Sequence, residues 1–307
     1  MNLEKTAHHS KTRAHHYISQ CYLKGFSILD NQFIIPIDIK DQRVSPPSNS
    51  KNIGQERDFN RVDFEGIALN YLEDALGHDF EGNVATALRN IENTNRFEGE
   101  DRSYIINLMA LFAIRNPTRR NHYNNFIEDA GKLGLSMAAQ NVGMRVNEHL
   151  VTEDLKKAID EDQYRIILSR NEHIKAELNL FNEILPYFFS RKWILIRAPD
   201  DAQFITSDFP VVLFWTNPAK HKHSPGFGLL GTEVHFPLSK KIALIGSFDG
   251  INGSQMESRE TVALINSNIL AHVKRWIFAS SQDFYFLNQK GECLYGIQKY
   301  WKYLAEL

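Results

Sequence analysis

The strongest constraint on the fold is a change in the spacing of apolar residues near residue 192. From about residue 62 to residue 191, apolar residues recur every three or four positions, which is typical of amphipathic helices. From Trp193 onward the apolar runs are short and are bounded by turn-forming residues, which predicts strands. Because helices and strands occupy separate parts of the chain, the pattern favours an α+β fold over an alternating α/β fold.

The individual apolar runs place the predicted elements. Helical spacing is found at 17–26, 64–71, 80–91, 104–112, about 126–149, 174–185 and 257–272. Strands are predicted at 33–39, 193–197, 203–206, 211–215, 233–237, 242–247 and 276–279. Pro36 has no backbone N–H, so the first of these strands is placed at a sheet edge. We therefore expect a helical middle region packed on a mostly antiparallel sheet, which is formed by the C-terminal third and this N-terminal edge strand.

Composition and charge narrow the domain organisation and the function classes. The 307 residues carry a formal net charge of −2, so any nucleic acid has to be bound by a local basic patch. The longest nearly apolar run, 105–114, is far shorter than the roughly 20 residues of a membrane helix. Two cysteines suggest no disulfide framework. We expect one cytoplasmic domain over 1–307, with an N-terminal part at 1–60, a helical region at 61–191 and a sheet-rich region at 192–307.

A glycine-rich segment at 226–231 matches the pattern G-x-G-x-x-G. A dinucleotide site requires this pattern between a strand and a helix. Here the segment follows a loop and leads into a predicted strand, so no nucleotide cofactor is expected.

Two charged residues lie on apolar faces of predicted helices. Arg115 follows Leu108 and Leu111 at helical spacing, and a buried arginine requires a partner. Alternatively, Arg115 complements the helix C-terminus and its head group reaches water. Glu81 shares the buried face of its own helix and is the candidate partner, or it is a carboxylate that favours the helix N-terminus.

Polar residues also occur near predicted strands and helix starts. Asp208 ends a strand, where the sheet fixes the direction of a carboxylate, although an Asx-type turn also explains it. His15 and His16 precede a predicted helix and are candidates for a metal ligand, a general base or a helix cap. Asn266 lies on the apolar face of a helix, which predicts a buried amide with hydrogen-bond partners.

Several segments together resemble a known family. They are the opening His15-His16-Tyr17-Ile18-x-Gln20-x-Tyr22-Leu23-x-x-Phe26, then Glu81, Arg115-Asn116-Pro117, Thr206-Ser207-Asp208-Phe209-Pro210-Val211, Phe236-Pro237-Leu238-Ser239 and Asn266. In this order, over nearly the whole chain, they resemble the family catalogued as domain of unknown function 4238. The resemblance implies single-gene bacterial defence against bacteriophage, with a phage component as the trigger, and it implies no particular reaction.

The resemblance points to the same polar residues as the spacing does. The predicted catalytic residues are His15, His16, Glu81, Arg115 and Asp208. The predicted substrate-binding residues are Tyr17, Gln20, Arg119, Arg120, His122, Ser207 and Asn266.

The first functional hypothesis is a nuclease that cleaves RNA or DNA during infection. His16, Glu81 and Asp208 would bind Mg²⁺ or Mn²⁺, and Arg115 would stabilise charge on the phosphoryl oxygens. A metal-free version uses His16 as the general base. A third version pairs Arg115 with His122, as in the arginine–histidine motif of HEPN ribonucleases, although a proline interrupts the helix on which that motif normally lies.

The nucleic acid would be bound by a basic patch at Arg119, Arg120 and His122. The alternative is a non-catalytic sensor or binding protein, in which Arg115, Glu81 and Asp208 form a buried structural network. An oligomer is compatible with either hypothesis.

Overall fold

The structure is a computed structural model that describes residues 13–28, 32–62, 80–140, 142–143, 145–146, 149–161 and 163–307. The chain divides into two compact units: Met1–Asn116 together with Leu178–Leu307, and Pro117–Glu177. The helix predicted at 64–71 lies outside the described residues. None of the described helices combines the length and the hydropathy needed to cross a membrane.

The described helices and strands are numbered in chain order. The helices are α1 (Gln20–Leu23), α2 (Glu81–Thr94), α3 (Gly99–Ile114), α4 (Pro117–Ala139), α5 (Glu153–Asp160), α6 (Arg170–Ser190), α7 (Arg259–His272) and α8 (Ile297–Ala305). The strands are β1 (Ala14–His16), β2 (Phe33–Asp38), β3 (Arg43–Val44), β4 (Ser48–Asn49), β5 (Gln55–Arg57), β6 (Arg145–Val146), β7 (His149–Leu150), β8 (Lys192–Arg197), β9 (Thr206–Ser207), β10 (Val212–Trp215), β11 (Thr232–Pro237), β12 (Ile242–Ser247), β13 (Gly253–Met256), β14 (Trp276–Ala279), β15 (Tyr285–Leu287) and β16 (Cys293–Tyr295).

One five-stranded sheet of the first unit has the strand order β10-β11-β12-β8-β13. Its pairs are antiparallel except for β13, which runs parallel to β8. One buried cluster joins this sheet to α2 and α3, and it includes Val84, Ile91, Leu108, Phe112, Phe236 and Leu244. The predicted α+β class, with helices packed on a mostly antiparallel sheet, is confirmed.

A second sheet has the order β3-β2-β14-β9, and β4 also pairs with β2. The prediction that the N-terminal strand lies at a sheet edge was wrong, because β2 has β14 on one side and β3 and β4 on the other. On the second side, β4 pairs with Phe33 and Ile34, and β3 pairs with Ile37 and Asp38. Pro36 lies in the gap between these short strands, where its missing N–H breaks no bond of either ladder.

The first helix is much shorter than the predicted helix at 17–26. α1 ends at Leu23 and continues as a 3₁₀ turn over Lys24–Phe26. A Cβ on Gly25 would lie 2.8 Å from the carbonyl oxygen of Leu238, so the chain passes very close to the turn after β11. The predicted helix-capping role of the two histidines was also wrong. They belong to β1, and the N-cap residue of α1 is Ser19.

The second unit contains α4, α5 and the β6–β7 hairpin, and α6 begins in it. The predicted polar helix at 126–149 starts earlier, at Pro117, because proline is well suited to a first helical position where no N–H is needed. That helix ends at Ala139, so the predicted range extended too far, and the β6–β7 hairpin lies partly within it. α5, a short and mostly polar helix, was not predicted. In the first unit, β13, the β15–β16 hairpin and α8 were missed as well.

Candidate functional site

A buried polar cluster lies where the two-stranded β1–β5 ribbon meets the end of α3. We call it the ribbon cluster, and it consists of His15, His16, Phe59, Asn60 and Arg115. The backbone N–H of Asn60 donates to Nδ1 of His15 at 2.9 Å, and its side-chain amide donates to the carbonyl of His16 at 3.3 Å. Nη2 of Arg115 donates to Oδ1 of Asn60. One asparagine therefore holds residues of the first strand and of α3 together.

The ring of His15 has one defined orientation and one defined neutral tautomer. Because Nδ1 accepts the N–H of Asn60, the proton of the neutral imidazole lies on Nε2. The residue is 1% exposed, and Nε2 has no hydrogen-bond partner within the described part of the chain. An unsatisfied buried N–H costs about 1–3 kcal/mol, and an acceptor supplied by a ligand would remove that cost.

Arg115 follows the last residue of α3 and is buried. Its backbone N–H donates to the carbonyl of Leu111 at 2.8 Å, so the helix ends here. Its guanidinium carbon lies 5.9 Å from the ring centre of Phe59, within cation–π range. The alternative in which the head group reaches water was wrong, because the whole residue is only 5% exposed. Pairing with Glu81 stays a prediction.

Glu81 lies in the first turn of α2, on the side that faces α1. Burial and then the negative charge of Glu81 raise the pKa of the Cys21 thiol to about 11. Cys21 and α2 line a cleft of about 260 Å³ that the turn at 238–242 completes. A thiol with so high a pKa is largely protonated at neutral pH and is a poor nucleophile.

Tyr17 lies between the ribbon cluster and Asp208. Its ring centre is 5.9 Å from that of Phe59. Burial raises the pKa of Tyr17, and the negative charges of Asp208 and Glu56 raise it further. Gln20 begins α1 and is half-buried, and its side chain makes no hydrogen bond within the described regions.

The carboxylate of Asp208 holds the backbone that leads into β14. Oδ1 accepts the N–H of Lys274 at 2.9 Å, and Oδ2 accepts those of Arg275 at 2.7 Å and Trp276 at 3.1 Å. Burial raises the pKa of Asp208, and these three N–H groups oppose that rise. The Asx-turn interpretation was wrong, because the carboxylate caps a distant segment. The local turn is made by Ser207, whose hydroxyl accepts the N–H of Phe209 at 3.1 Å.

The comparisons with known proteins agree with this arrangement of segments. A family model described as "Protein of unknown function (DUF4238)" matches residues 14–283. The chain belongs to this family. Neither a curated protein nor a solved structure matches it.

Three of the DUF4238 segments quoted from the sequence meet one another in the core: the opening segment, 206–211 and 236–239. The hydroxyl of Tyr22, from the opening segment, pairs with Thr206 at 2.7 Å and donates to the carbonyl of Pro237 at 2.8 Å. Its ring stacks on Phe236 with centres 5.2 Å apart. A large part of the family pattern therefore has a structural explanation.

Asn266 is buried as predicted, and its amide is used completely by the backbone. Its oxygen accepts the N–H of Ile205 at 3.0 Å. Its nitrogen donates to the carbonyls of Gln203 at 3.0 Å and Tyr285 at 2.9 Å. These bonds join α7 to the segments that carry Gln203 and Tyr285. A role in substrate binding stays a prediction.

The predicted basic patch belongs to the second unit. Arg120 donates through Nε and Nη2 to the carboxylate of Glu177 at 2.6 and 2.8 Å, so its charge is already paired. Burial lowers the pKa of Arg119, and His122 is exposed on α4. Arg115 precedes α4 and His122 lies on it, so the pair does not share a helix as the HEPN motif requires.

Metal binding by His16, Glu81 and Asp208 stays a prediction. Among the described residues, no three His, Cys, Asp or Glu side chains are close enough to hold one ion. Asp208 directs both carboxylate oxygens at backbone N–H groups.

Sequence reasoning missed Phe59 and Asn60, which complete the ribbon cluster. They lie in an irregular segment after β5, where no period marks a buried face. The signal available was a short Asp58-Phe59-Asn60 run between a proline-containing loop and the helical region. Such a run is equally typical of an exposed turn.

Proposed function

We propose that this DUF4238 protein is a nuclease that cleaves RNA or DNA phosphodiesters, and that it acts in defence against bacteriophage. The observation that carries the proposal is the buried Nε2–H of His15, which has no partner within the described regions and is joined through Asn60 to the guanidinium of Arg115. A neutral hydrogen-bond donor and a cation held at a fixed separation can together bind a negatively charged oxygen. Phosphoryl groups present such oxygens.

His15 serves as a hydrogen-bond donor in this proposal and not as a general base. The N–H of Asn60 occupies Nδ1, so the neutral imidazole presents its Nε2–H to a ligand. Donors in a buried site stabilise charge that develops in the transition state more strongly than donors in water. Arg115 supplies the positive charge.

The two adjacent histidines have different surroundings. Side chains of consecutive strand residues point to opposite faces, so His15 and His16 do not approach one phosphoryl group from the same side. We assign the donor role to His15. His16 has a different role in each version of the proposal. Without a metal it is the general base. In the metal-dependent version it binds the ion together with Glu81 and Asp208.

The test uses His15→Asn. An asparagine oxygen takes the place of Nδ1 and still accepts the N–H of Asn60, while the Nε2 donor is lost. Purified wild type, His15→Asn and the exposed control His223→Asn are incubated with labelled single-stranded RNA and DNA, with and without EDTA. We expect His15→Asn to lower kcat by about 10²–10³, the loss found when one oxyanion donor is removed, and His223→Asn to match the wild type.

The same variants are expressed in cells that are then challenged with phage, at equal protein levels. Cleaved RNA or DNA in wild-type cells alone supports the nuclease. Protection from phage with intact nucleic acid in every strain would overturn it in favour of a sensor. Cleavage that EDTA abolishes would replace the metal-free version by the metal-dependent one.

A further inference from the structure

Three arginines surround one buried carboxylate at the end of the β1–β5 ribbon. The side chain of Asp58 is 9% exposed. Nε of Arg13 donates to its two oxygens at 3.0 and 3.1 Å, Nε of Arg57 lies 3.8 Å away, and Nη1 of Arg61 lies 3.8 Å away. We call Arg13, Arg57 and Arg61 the arginine cluster.

The arginine cluster carries more positive charge than its carboxylate can neutralise. Each guanidinium has five N–H donors, and Asp58 engages only a small part of the fifteen. The other carboxylate within the described β1–β5 ribbon is Glu56, which alternates with Arg57 along β5 and so points to the opposite face of the ribbon. Arg57 is 73% exposed and Arg13 is half-exposed. The free donors of both residues therefore face solvent.

Stability alone gives a weak reason for three arginines at this position. Exposed ion pairs contribute about 0–1 kcal/mol, and a contact of 3.8 Å is too long for a hydrogen bond. Asp58 has a left-handed backbone with φ of 57°, and its N–H donates to the carbonyl of Arg13 at 2.6 Å. The strained turn presents the carboxylate to the arginines and orients them.

The arginine cluster adjoins the ribbon cluster through the chain itself. Asp58 is followed directly by Phe59 and Asn60, which hold Arg115 and His15. Two residues span roughly 7 Å at most. A polymer with a phosphate at His15 would therefore pass its neighbouring phosphates close to this end of the ribbon.

We propose that the arginine cluster binds the phosphate backbone of the nucleic-acid strand on which the ribbon cluster acts. This inference rests on the proposed function and names the substrate-binding surface of the same site. Planar guanidinium groups bind phosphate oxygens in pairs, and such contacts carry no base specificity. The affinity is therefore independent of the base sequence, and it falls as the salt concentration rises.

The test measures binding apart from cleavage. Fluorescence anisotropy of full-length protein is recorded with labelled single strands of about 15 nucleotides, as DNA and as 2′-O-methyl RNA, from 50 to 200 mM salt. Gels confirm that the strands stay intact. The variants are Arg57→Ala and the matched control Arg96→Ala, whose arginine is 74% exposed and lies 3.6 Å from Glu98.

We expect Arg57→Ala to raise Kd at least threefold and to reduce the slope of log K against log salt by about 0.7. Arg96→Ala should match the wild type. Equal Kd values for Arg57→Ala and Arg96→Ala, or no binding by the wild type, would overturn the inference. Arginine-dependent binding without any cleavage supports this surface and contradicts the nuclease. Cleavage by the wild type, with Arg57→Ala binding as tightly as Arg96→Ala, supports the nuclease and contradicts this binding surface.

Discussion

At the scale of single residues, Asp208 shows that a carboxylate at the end of a strand can be used by the backbone. Asp208 was selected because a carboxylate at a strand end is well placed for chemistry. Its oxygens instead accept three consecutive backbone N–H groups, those of the two residues before β14 and of the first residue of β14. This arrangement keeps the segment aligned so that β14 can pair with both β2 and β9.

Replacing Asp208 with alanine should therefore destabilise the protein. The variant loses three hydrogen bonds and leaves partly buried N–H groups unsatisfied, so we expect the free energy of unfolding to fall by about 2–4 kcal/mol. Urea denaturation followed by circular dichroism measures this. The exposed Asp200→Ala is the control and should differ from wild type by less than about 0.5 kcal/mol. Unchanged stability in Asp208→Ala would mean that its carboxylate is free for catalysis.

Residues on regular helices were the easiest to predict. The burial of Asn266 followed from its spacing to apolar neighbours, because a helix has a fixed period. For Arg115, just after a helix, the spacing left open whether the head group is buried or reaches water. The tautomer of His15 did not follow from any pattern. It is set by Asn60, a residue 45 positions away in irregular structure, and sequence spacing holds no information on such a contact.

At the scale of elements, the close approach of α1 to the turn after β11 explains why the helix is short. The carbonyl of Gly25 accepts the N–H of Lys240 at 2.9 Å, and Gly25 lies directly against the backbone at Leu238. The Lys24–Phe26 turn is therefore shaped by a partner more than 200 residues away. The predicted helix at 17–26 was too long for this reason. The edge position of β2 was wrong for a local reason, because the nearby strands β3 and β4 cover its second side.

Two glycine-to-alanine variants should have opposite effects. In Gly25→Ala the new methyl group meets the carbonyl of Leu238 at 2.8 Å, so backbone must move, and we expect a loss of about 1–3 kcal/mol. In Gly82→Ala, at the start of α2, no atom of the described residues lies within 4 Å of the new Cβ, so we expect a gain of about 0.5 kcal/mol. Thermal unfolding of both variants checks this. A neutral Gly25→Ala would show that the two segments separate readily.

At the scale of the whole molecule, one ion pair joins the N-terminal strand to the C-terminal third. Asp38 ends β2, and its carboxylate accepts Nε of Arg275 at 2.9 Å and the N–H groups of Lys40 and Asp41. Burial disfavours the charge of Asp38. The hydrogen bond from Arg275 and the two N–H groups outweigh burial, so the pKa of Asp38 is lowered.

This lowered pKa predicts how stability depends on pH. Because the folded carboxyl binds its proton less tightly than the unfolded one, its contribution is complete above the unfolded value of about 3.9 and is lost as pH falls through the folded pKa. We expect acid unfolding below about pH 4 to be less steep in Asp38→Asn than in the wild type. Urea midpoints measured between pH 3 and 6 test this. Arg275→Gln should show the same flattening, and a slope unchanged in both variants would contradict the assignment.

The pairing of β2 with β14 also sets an order of events during synthesis. A ribosome that adds about 5–20 residues per second needs roughly 12–50 s to pass from β2 to β14. Over that interval β2 has only its local partners β3 and β4, and the edge that β14 later covers stays open to other strands. The second sheet is therefore completed late, and chains released before β14 expose an apolar strand that nascent-chain chaperones would have to protect.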